Sequence, residues 1–203
     1  MNIIESREAE ADVPLKPPSF VEHCRLHLGH AQRLELQFVC VQRQLSDRGL
    51  LRGLAAAVNW LGNGWLYLFL AGVLLLGGSR RAHLVLLGAG LAVGAAHAVY
   101  PWIKRRIARL RPFERLPHLR PRTPVLDRYS FPSGHCMTST AVAIPFAHGY
   151  PELAWLAVTT CLVVAWARMA CAHHYPTDLV AGSALGALMA YGSAALLQTV
   201  KVL

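Results

Sequence analysis

The sequence predicts an all-α membrane protein: a polytopic helical bundle of about five transmembrane helices, preceded by an amphipathic helix. Hydrophobic residues make up 54% of the 203 residues and charged residues only 15%, whereas a soluble domain carries roughly 25% charged residues. The apolar residues are concentrated in long runs, most of them about as long as a bilayer requires. Basic residues lie mainly between these runs, as anionic headgroups and the positive-inside effect favour.

The net charge of +9 does not indicate nucleic-acid binding. Most of the cations lie in two blocks outside the apolar runs, from Arg7 to Arg52 and from Lys104 to Arg128, and no soluble basic domain accompanies them. The five cysteines form no CxxC pair, so neither a metal site nor a disulfide framework is expected. The acidic, polar N-terminus does not resemble a cleavable signal peptide, so we expect the first span to direct insertion.

Residues 1–50 are expected to form a polar tail followed by an amphipathic helix on the membrane surface. Prolines and polar side chains up to residue 19 predict a disordered tail. In the following stretch, apolar residues recur at helical spacing among arginines and glutamines. These apolar positions are Leu26, Leu34, Phe38, Val41 and Leu45. The same pattern fits a helix that packs on the protein itself equally well.

Residues 51–203 are expected to form the transmembrane domain. The predicted spans cover residues 54–76, 82–102, 135–149, 153–170 and 178–197. Close helix packing is expected at two pairs of glycines four residues apart. The pairs are Gly90 with Gly94 and Gly182 with Gly186. Because consecutive spans alternate in direction, the connection after the second span and the turn after the fourth lie on the same side of the membrane.

Three cations at these two places are candidate ligands of a phosphate group. Lys104 and Arg111 are seven residues apart, so both side chains can lie on one helix face. Arg168 comes at the end of the fourth span. An arginine offers a rigid fork to phosphate oxygens, whereas a lysine supplies a point charge. The other cations of this stretch are interpreted as residues that flank the membrane: Arg105, Arg106 and Arg109.

A Pro-Ser-Gly-His sequence at residues 132–135 comes directly before an apolar helix. Free N–H groups at a helix start bind anions, and Gly134 lets the backbone approach closely. Ser133 can donate its hydroxyl and can also cap the helix. His135 is a candidate general acid for a leaving alkoxide, and afterwards a base towards water.

His174 and Asp178 form the third motif. Asp178 lies in the first turn of the fifth span, where its carboxylate can reach back to the imidazole and fix its tautomer. The free ring nitrogen is then a nucleophile. A helix cap would explain Asp178 alone, but not its neighbours. By adjacency alone, His173 is an alternative nucleophile. The whole set predicts phosphoryl transfer through a histidine at a bilayer surface, and hence a phosphorylated lipid as substrate.

Together the motifs resemble the three-part signature of the type 2 phosphatidic acid phosphatase superfamily, over roughly residues 50–200. The signature is Lys-x6-Arg-Pro at 104–112, Pro-Ser-Gly-His at 132–135 and Arg-x5-His-x3-Asp at 168–178. The resemblance implies a membrane bundle that hydrolyses a lipid phosphate without a metal or other cofactor.

The resemblance also implies a role for each motif residue. His174 would carry the phosphoryl group, Asp178 would orient the His174 imidazole, and His135 would be the general acid. The spacing of the family signature decides against His173 as the nucleophile. The phosphate would be held by Lys104, Arg111, Ser133, Gly134 and Arg168. One position departs from the family, because Ala167 stands where a serine is usual. Losing that donor is expected to weaken binding by on the order of 1 kcal/mol.

Candidate substrates are undecaprenyl diphosphate, phosphatidylglycerol phosphate, phosphatidic acid and a lipid A phosphate. One alternative keeps the site but transfers the phosphoryl group to another lipid instead of water. Another is a non-catalytic protein that binds anionic headgroups, which intact His135, His174 and Asp178 disfavour. A third, vanadate-dependent peroxidase chemistry, is disfavoured by the membrane spans. The expected partners are therefore the bilayer and a phosphorylated lipid.

The resemblance implies a multi-pass protein of the inner (plasma) membrane with its active site on the periplasmic or outer face. Positive charge near the spans is heavier on the active-site side, which the positive-inside rule would place in the cytoplasm. Several of those cations are expected to bind phosphate, so their count is a poor guide to orientation. The outer face is therefore the prediction.

Overall fold

A computed structural model describes residues 29–116 and 119–200, and these residues contain helices and loops but no β-strand. Contacts divide the chain into a unit Met1–Arg33 and a unit Leu34–Leu203. The all-α class is confirmed for the described residues. The predicted disordered tail, residues 1–19, lies outside them.

The helices are α1 His30–Leu45, α2 Gly49–Leu61, α3 Trp65–Gly77, α4 Arg80–Ile107, α5 Pro112–Arg115, α6 Gly134–Gly149, α7 Ala154–Ala170 and α8 Pro176–Thr199. A 3-10 turn, Pro151–Leu153, joins α6 to α7. Helix α1 buries Leu36 and Val39 and exposes a large apolar residue at most of the predicted positions. Leu26 lies outside the described residues. Contact of α1 with the membrane surface stays a prediction.

Three segments of the described chain are long and apolar enough to cross a membrane: Arg80–Arg115, Pro151–Ala170 and Pro176–Thr199. Helices α2 and α3 together form a fourth candidate, but they meet at a bend of 60°. The break follows from the Gly-Asn-Gly sequence at residues 62–64, in which Gly64 has a φ of 129°. Helix α6 has 16 residues, fewer than the roughly 20 that a span needs. Five spans are therefore not confirmed.

The short helix α6 packs against α4, α7 and α8. A Cβ atom at Gly182 would collide with the carbonyl oxygen of Ser133, and one at Gly186 with that of Met137. Helix α8 thus approaches α6 backbone to backbone, as the glycine spacing predicts. The expectation for Gly90 and Gly94 was wrong, because no atom lies within 4 Å of a Cβ built at either position.

Candidate active site

The three motifs meet where α4 and α7 end and α6 and α8 begin. A cavity of about 530 Å³ lies between them. Every motif contributes to its lining, with Arg111, Gly134, His135, Arg168 and His174. The convergence that the connectivity predicted is therefore present in the fold, although the five predicted spans are not confirmed.

His174 presents its Nε2 atom to two guanidinium groups. This atom lies 3.3 Å from Nη1 of Arg111 and 3.3 Å from Nη2 of Arg168. Burial, together with the charges of Arg168 and Arg111, lowers the pKa of His174 well below its ordinary value. The imidazole is therefore neutral near pH 7, and a neutral ring nitrogen keeps the lone pair that a nucleophile needs.

The partner of the other ring nitrogen is Asp178, as the spacing predicts. Nδ1 of His174 lies 3.6 Å from Oδ2 of Asp178, within ion-pair range but longer than a hydrogen bond. The buried carboxylate instead accepts hydrogen bonds from Nη1 of Arg109 at 2.7 Å and from the N–H of Tyr175 at 2.9 Å. The interpretation of Arg109 as a cation that only flanks the membrane was therefore wrong.

Two asparagines that the sequence analysis did not assign to the site hold Arg168 and His135. Asn59 accepts a hydrogen bond from Nη1 of Arg168, and donates one to Oγ1 of Thr123 at 2.6 Å. Nε2 of His135 lies 2.8 Å from Oδ1 of Asn63. Their sequence signal was two amides four residues apart where an apolar helix ends. Asn63, at the bend between α2 and α3, lines the cavity, whereas Asn59 acts on it through Arg168.

The predicted phosphate ligands Lys104 and Arg111 share the carboxylate of Asp127. Nζ of Lys104 donates to Oδ1 at 2.5 Å, and Nη2 of Arg111 donates to the same oxygen at 2.7 Å. Burial alone would raise the pKa of Asp127, but its hydrogen bonds and the charges of the neighbouring cations, Lys104 foremost, together lower it. The cations Lys104, Arg111 and Arg168 carry +3 together, and the Asp127 carboxylate reduces the net charge to +2. This balances a phosphate monoester, which carries about −2.

Ser133 and Gly134 begin α6 at the cavity. The N–H of Ser133 donates to the carbonyl oxygen of Asp178 at 2.9 Å, and its hydroxyl accepts from the N–H of Cys136 at 3.5 Å. The serine therefore caps α6, and a bond from it to phosphate stays a prediction. A Cβ atom at Gly134 would lie 2.7 Å from the hydroxyl of Tyr100, so a side chain at this position would have to displace the Tyr100 ring.

His173 takes a different direction from its neighbour. Its Nε2 atom lies 3.1 Å from the carbonyl oxygen of Thr123, and it is not among the residues that line the cavity. The geometry thus favours His174 over His173, as the family spacing does. Within residues 29–116 and 119–200, no three His, Cys, Asp or Glu side chains are grouped as metal ligands.

Comparison with known proteins identifies the family. The model of the PAP2 superfamily matches residues 85–201, which include all three motifs and more than half of the chain. The chain belongs to the PAP2 superfamily. The resemblance drawn from the motifs is thereby confirmed.

Characterised relatives of this PAP2 protein are phosphatases. It is 36% identical over 154 residues to a decaprenylphosphoryl-5-phosphoribose phosphatase of Mycobacterium tuberculosis, covering 73% of this chain and 82% of the relative. It is 38% identical over 150 residues to the protein of the same name from Mycolicibacterium smegmatis, covering 71% and 78%. The predicted enzyme class, a phosphoric ester hydrolase acting on lipid phosphates, is confirmed.

A solved structure shares the fold. The transmembrane PAP2-type phosphatidylglycerolphosphate phosphatase of Bacillus subtilis superposes with a TM-score of 0.66, at 21% identity, over 87% of this chain and 90% of that chain. Together with the apolar helices, this supports a multi-pass membrane protein. The predicted all-α membrane fold is confirmed, whereas the identity of the membrane stays a prediction.

Proposed function

We propose that this PAP2 phosphatase hydrolyses a phosphate ester of a membrane lipid through a phosphohistidine on His174, without a metal ion. One observation carries the proposal: a buried, neutral imidazole directs one nitrogen at two guanidinium groups, each 3.3 Å away. Phosphate oxygens bound to Arg111 and Arg168 would place phosphorus next to that nitrogen. The same charges would stabilise the oxygens as negative charge builds up in the transition state.

The reaction has two steps. In the first, Nε2 of His174 forms a bond to phosphorus as the bond from phosphorus to the lipid oxygen breaks, and His135 gives a proton to the leaving alkoxide. Asp178 holds the imidazole and balances its positive charge. In the second, His135 takes a proton from water, and the water oxygen forms a bond to phosphorus as the bond from phosphorus to Nε2 of His174 breaks. Inorganic phosphate then leaves, and the His174 imidazole is free again.

The cavity also supports a lipid substrate of a particular kind. Beside the cations it is lined by apolar side chains, among them Leu68, Val93 and Val142, and by the neutral polar residues Asn63 and Thr138. This combination suits a polar headgroup attached to a lipid chain. Because two relatives are named for decaprenylphosphoryl-5-phosphoribose, we propose a polyprenylphosphoryl sugar phosphate as the first substrate to test. Undecaprenyl diphosphate, phosphatidylglycerol phosphate, phosphatidic acid and a lipid A phosphate are the others.

The proposal is tested with the purified full chain in detergent. Phosphate release from each candidate lipid would be measured with EDTA present, for the unaltered protein and for His174→Ala. We expect EDTA-resistant release that His174→Ala abolishes. The matched control is His83→Ala, an exposed histidine of α4; it should keep full activity. Release that survives in His174→Ala would overturn the assigned nucleophile, and release that EDTA abolishes would overturn the metal-free mechanism.

The covalent intermediate has its own test. A lipid substrate labelled on the transferred phosphate should leave label on the protein in a short quench, in an acid-labile and alkali-stable form. His174→Ala should retain none. An added lipid alcohol would separate hydrolysis from the alternative phosphotransferase reaction, since a transferase would place the label on that alcohol instead of releasing it as phosphate.

A further inference from the structure

Arg109 joins two carboxylates through the two terminal nitrogens of its guanidinium group. Nη1 donates to Oδ1 of Asp178 at 2.7 Å, and Nη2 donates to Oε2 of Glu35 at 2.5 Å. The ring of Tyr175 lies under the guanidinium, 3.9 Å from its central carbon to the ring centroid. A side chain that only neutralised the membrane surface would not be held on three sides.

Glu35 also binds the start of the helix that carries Asp178. Its Oε1 atom accepts from the N–H of Thr177 at 3.0 Å and from the Thr177 hydroxyl at 2.5 Å. Burial alone would raise the pKa of Glu35, but the hydrogen bonds from Thr177 and Arg109 lower it more. An ionised carboxylate thus accepts one of the free N–H groups of α8, where the helix dipole favours negative charge.

Asp178 needs such support because its side chain is fully buried. A buried carboxylate stays ionised only if a partner compensates its charge. Within the described chain, His174 is too distant to donate a hydrogen bond to it, whereas Arg109 does so. The charge and orientation of Asp178 therefore depend on Arg109, and the position of Arg109 depends on Glu35.

We propose that Arg109 and Glu35 are positioning residues for the pair formed by Asp178 and His174. They hold the Asp178 carboxylate ionised and facing Nδ1 of His174, without touching the substrate. This inference rests on the proposed phosphohistidine mechanism. Glu35 belongs to α1, so this role would also make the N-terminal amphipathic helix a structural support of Asp178 and His174.

The test compares full-length variants on the lipid that the unaltered protein prefers. Arg109→Gln should lower kcat about ten- to a hundredfold, the loss expected when a hydrogen bond to a charged group is removed, with little change in KM. Arg109→Lys keeps the charge and should recover part of the loss. Glu35→Gln should lower kcat less, and adding it to Arg109→Gln should cost little more, because both act through one contact.

A pH profile separates positioning from a merely structural role. Removing a cation beside Asp178 disfavours the ionised carboxylate, so the acid limb of kcat should move to higher pH in Arg109→Gln. The other charged or titratable residues near Asp178 and His174 are not substituted in this variant. They are Lys104, Arg111, Asp127, Arg168, His173 and Tyr175.

Matched controls remove the same charges elsewhere. Arg105→Gln alters an exposed arginine near the same helix end, and Glu152→Gln an exposed glutamate of the 3-10 turn; both should keep kcat and the pH profile. Unchanged kcat and pH profile in Arg109→Gln and Glu35→Gln, with His174→Ala inactive, would overturn this inference alone. An active His174→Ala would instead overturn the proposed function. If Arg109→Gln does not fold, Glu35→Gln decides by the same criteria.

Discussion

The N–H of Ser133 donates a hydrogen bond to the carbonyl oxygen of Asp178 at 2.9 Å. This bond joins the N-cap residue of α6 to the first turn of α8. It therefore sets the distance between the helix start that would bind phosphate and the residue that would orient the nucleophile. Gly182, one turn further along α8, lies directly against the carbonyl oxygen of Ser133. The geometry of the site thus depends on a close contact between two backbones.

Gly182→Ala should therefore damage both stability and activity. The added methyl group collides with backbone rather than with a flexible side chain, and overpacking of this kind costs about 1–3 kcal/mol. We expect a lower midpoint of thermal unfolding in detergent and a lower kcat/KM. Gly90→Ala is the control, because its methyl group meets open space. Equal unfolding midpoints for the two variants would contradict the assigned contact.

The protonation of His174 should be unusual. Burial and the charges of Arg168 and Arg111 lower its pKa well below the ordinary value, so the imidazole should stay neutral at about pH 6.5, where an unperturbed histidine is half protonated. Histidine-labelled protein in detergent would be titrated by NMR, with the His174 signal assigned from its absence in His174→Gln. A His174 signal that titrates at or above the ordinary value would contradict the assignment of its environment.

Asp127→Asn should strengthen inhibition by the product. The substitution raises the net charge of the phosphate ligands and Asp127 from +2 to +3, so we expect the inhibition constant of inorganic phosphate to fall by a factor of about five, equivalent to about 1 kcal/mol. Asp47→Asn, which removes an exposed carboxylate paired with Arg122, should leave this constant unchanged. A weaker affinity for phosphate in Asp127→Asn would instead mean that Asp127 chiefly holds Lys104 and Arg111 in place.

Asn63→Ala should impair His135 in a substrate-dependent way. Without the amide oxygen 2.8 Å from Nε2, the imidazole loses the contact that fixes its orientation. Protonation of a poor leaving group such as a lipid alkoxide should suffer more than departure of p-nitrophenolate, which needs no acid. We expect kcat to fall about tenfold or more for the lipid and much less for p-nitrophenyl phosphate. An equal loss on both substrates would indicate a structural role for Asn63.

Much of the site could be predicted because its signals are local. Asp178 follows His174 by four residues, and Pro176 begins the helix that carries Asp178, so this spacing alone places the carboxylate near the imidazole. Gly182 and Gly186 likewise mark a helix face that can meet another backbone. The same spacing at Gly90 and Gly94 predicted a contact that is absent, since a spacing permits close approach but does not supply a neighbour.

Other features depended on distant parts of the chain. Arg109, Glu35 and Asp178 are widely separated in sequence, and the bridge between them follows from where α1 meets the start of α8. The bend at residues 62–64 turned one predicted span into two helices and brought Asn63 to the cavity, while Asn59 holds Arg168 there. These contacts form because a buried charged group requires a polar partner. Which residue becomes that partner depends on the packing of distant segments.

By itself, the sequence determined the all-α membrane class, the order of the three motifs and the chemical type of their side chains. Hydropathy, helical spacing and turn residues depend on near neighbours, so they can be evaluated along the chain. Only the tertiary structure decided that Asp127 pairs with two predicted phosphate ligands, that Arg109 donates to Asp178, and that the first predicted span bends by 60° between α2 and α3. These outcomes arise from charge compensation and close packing between segments far apart in the chain.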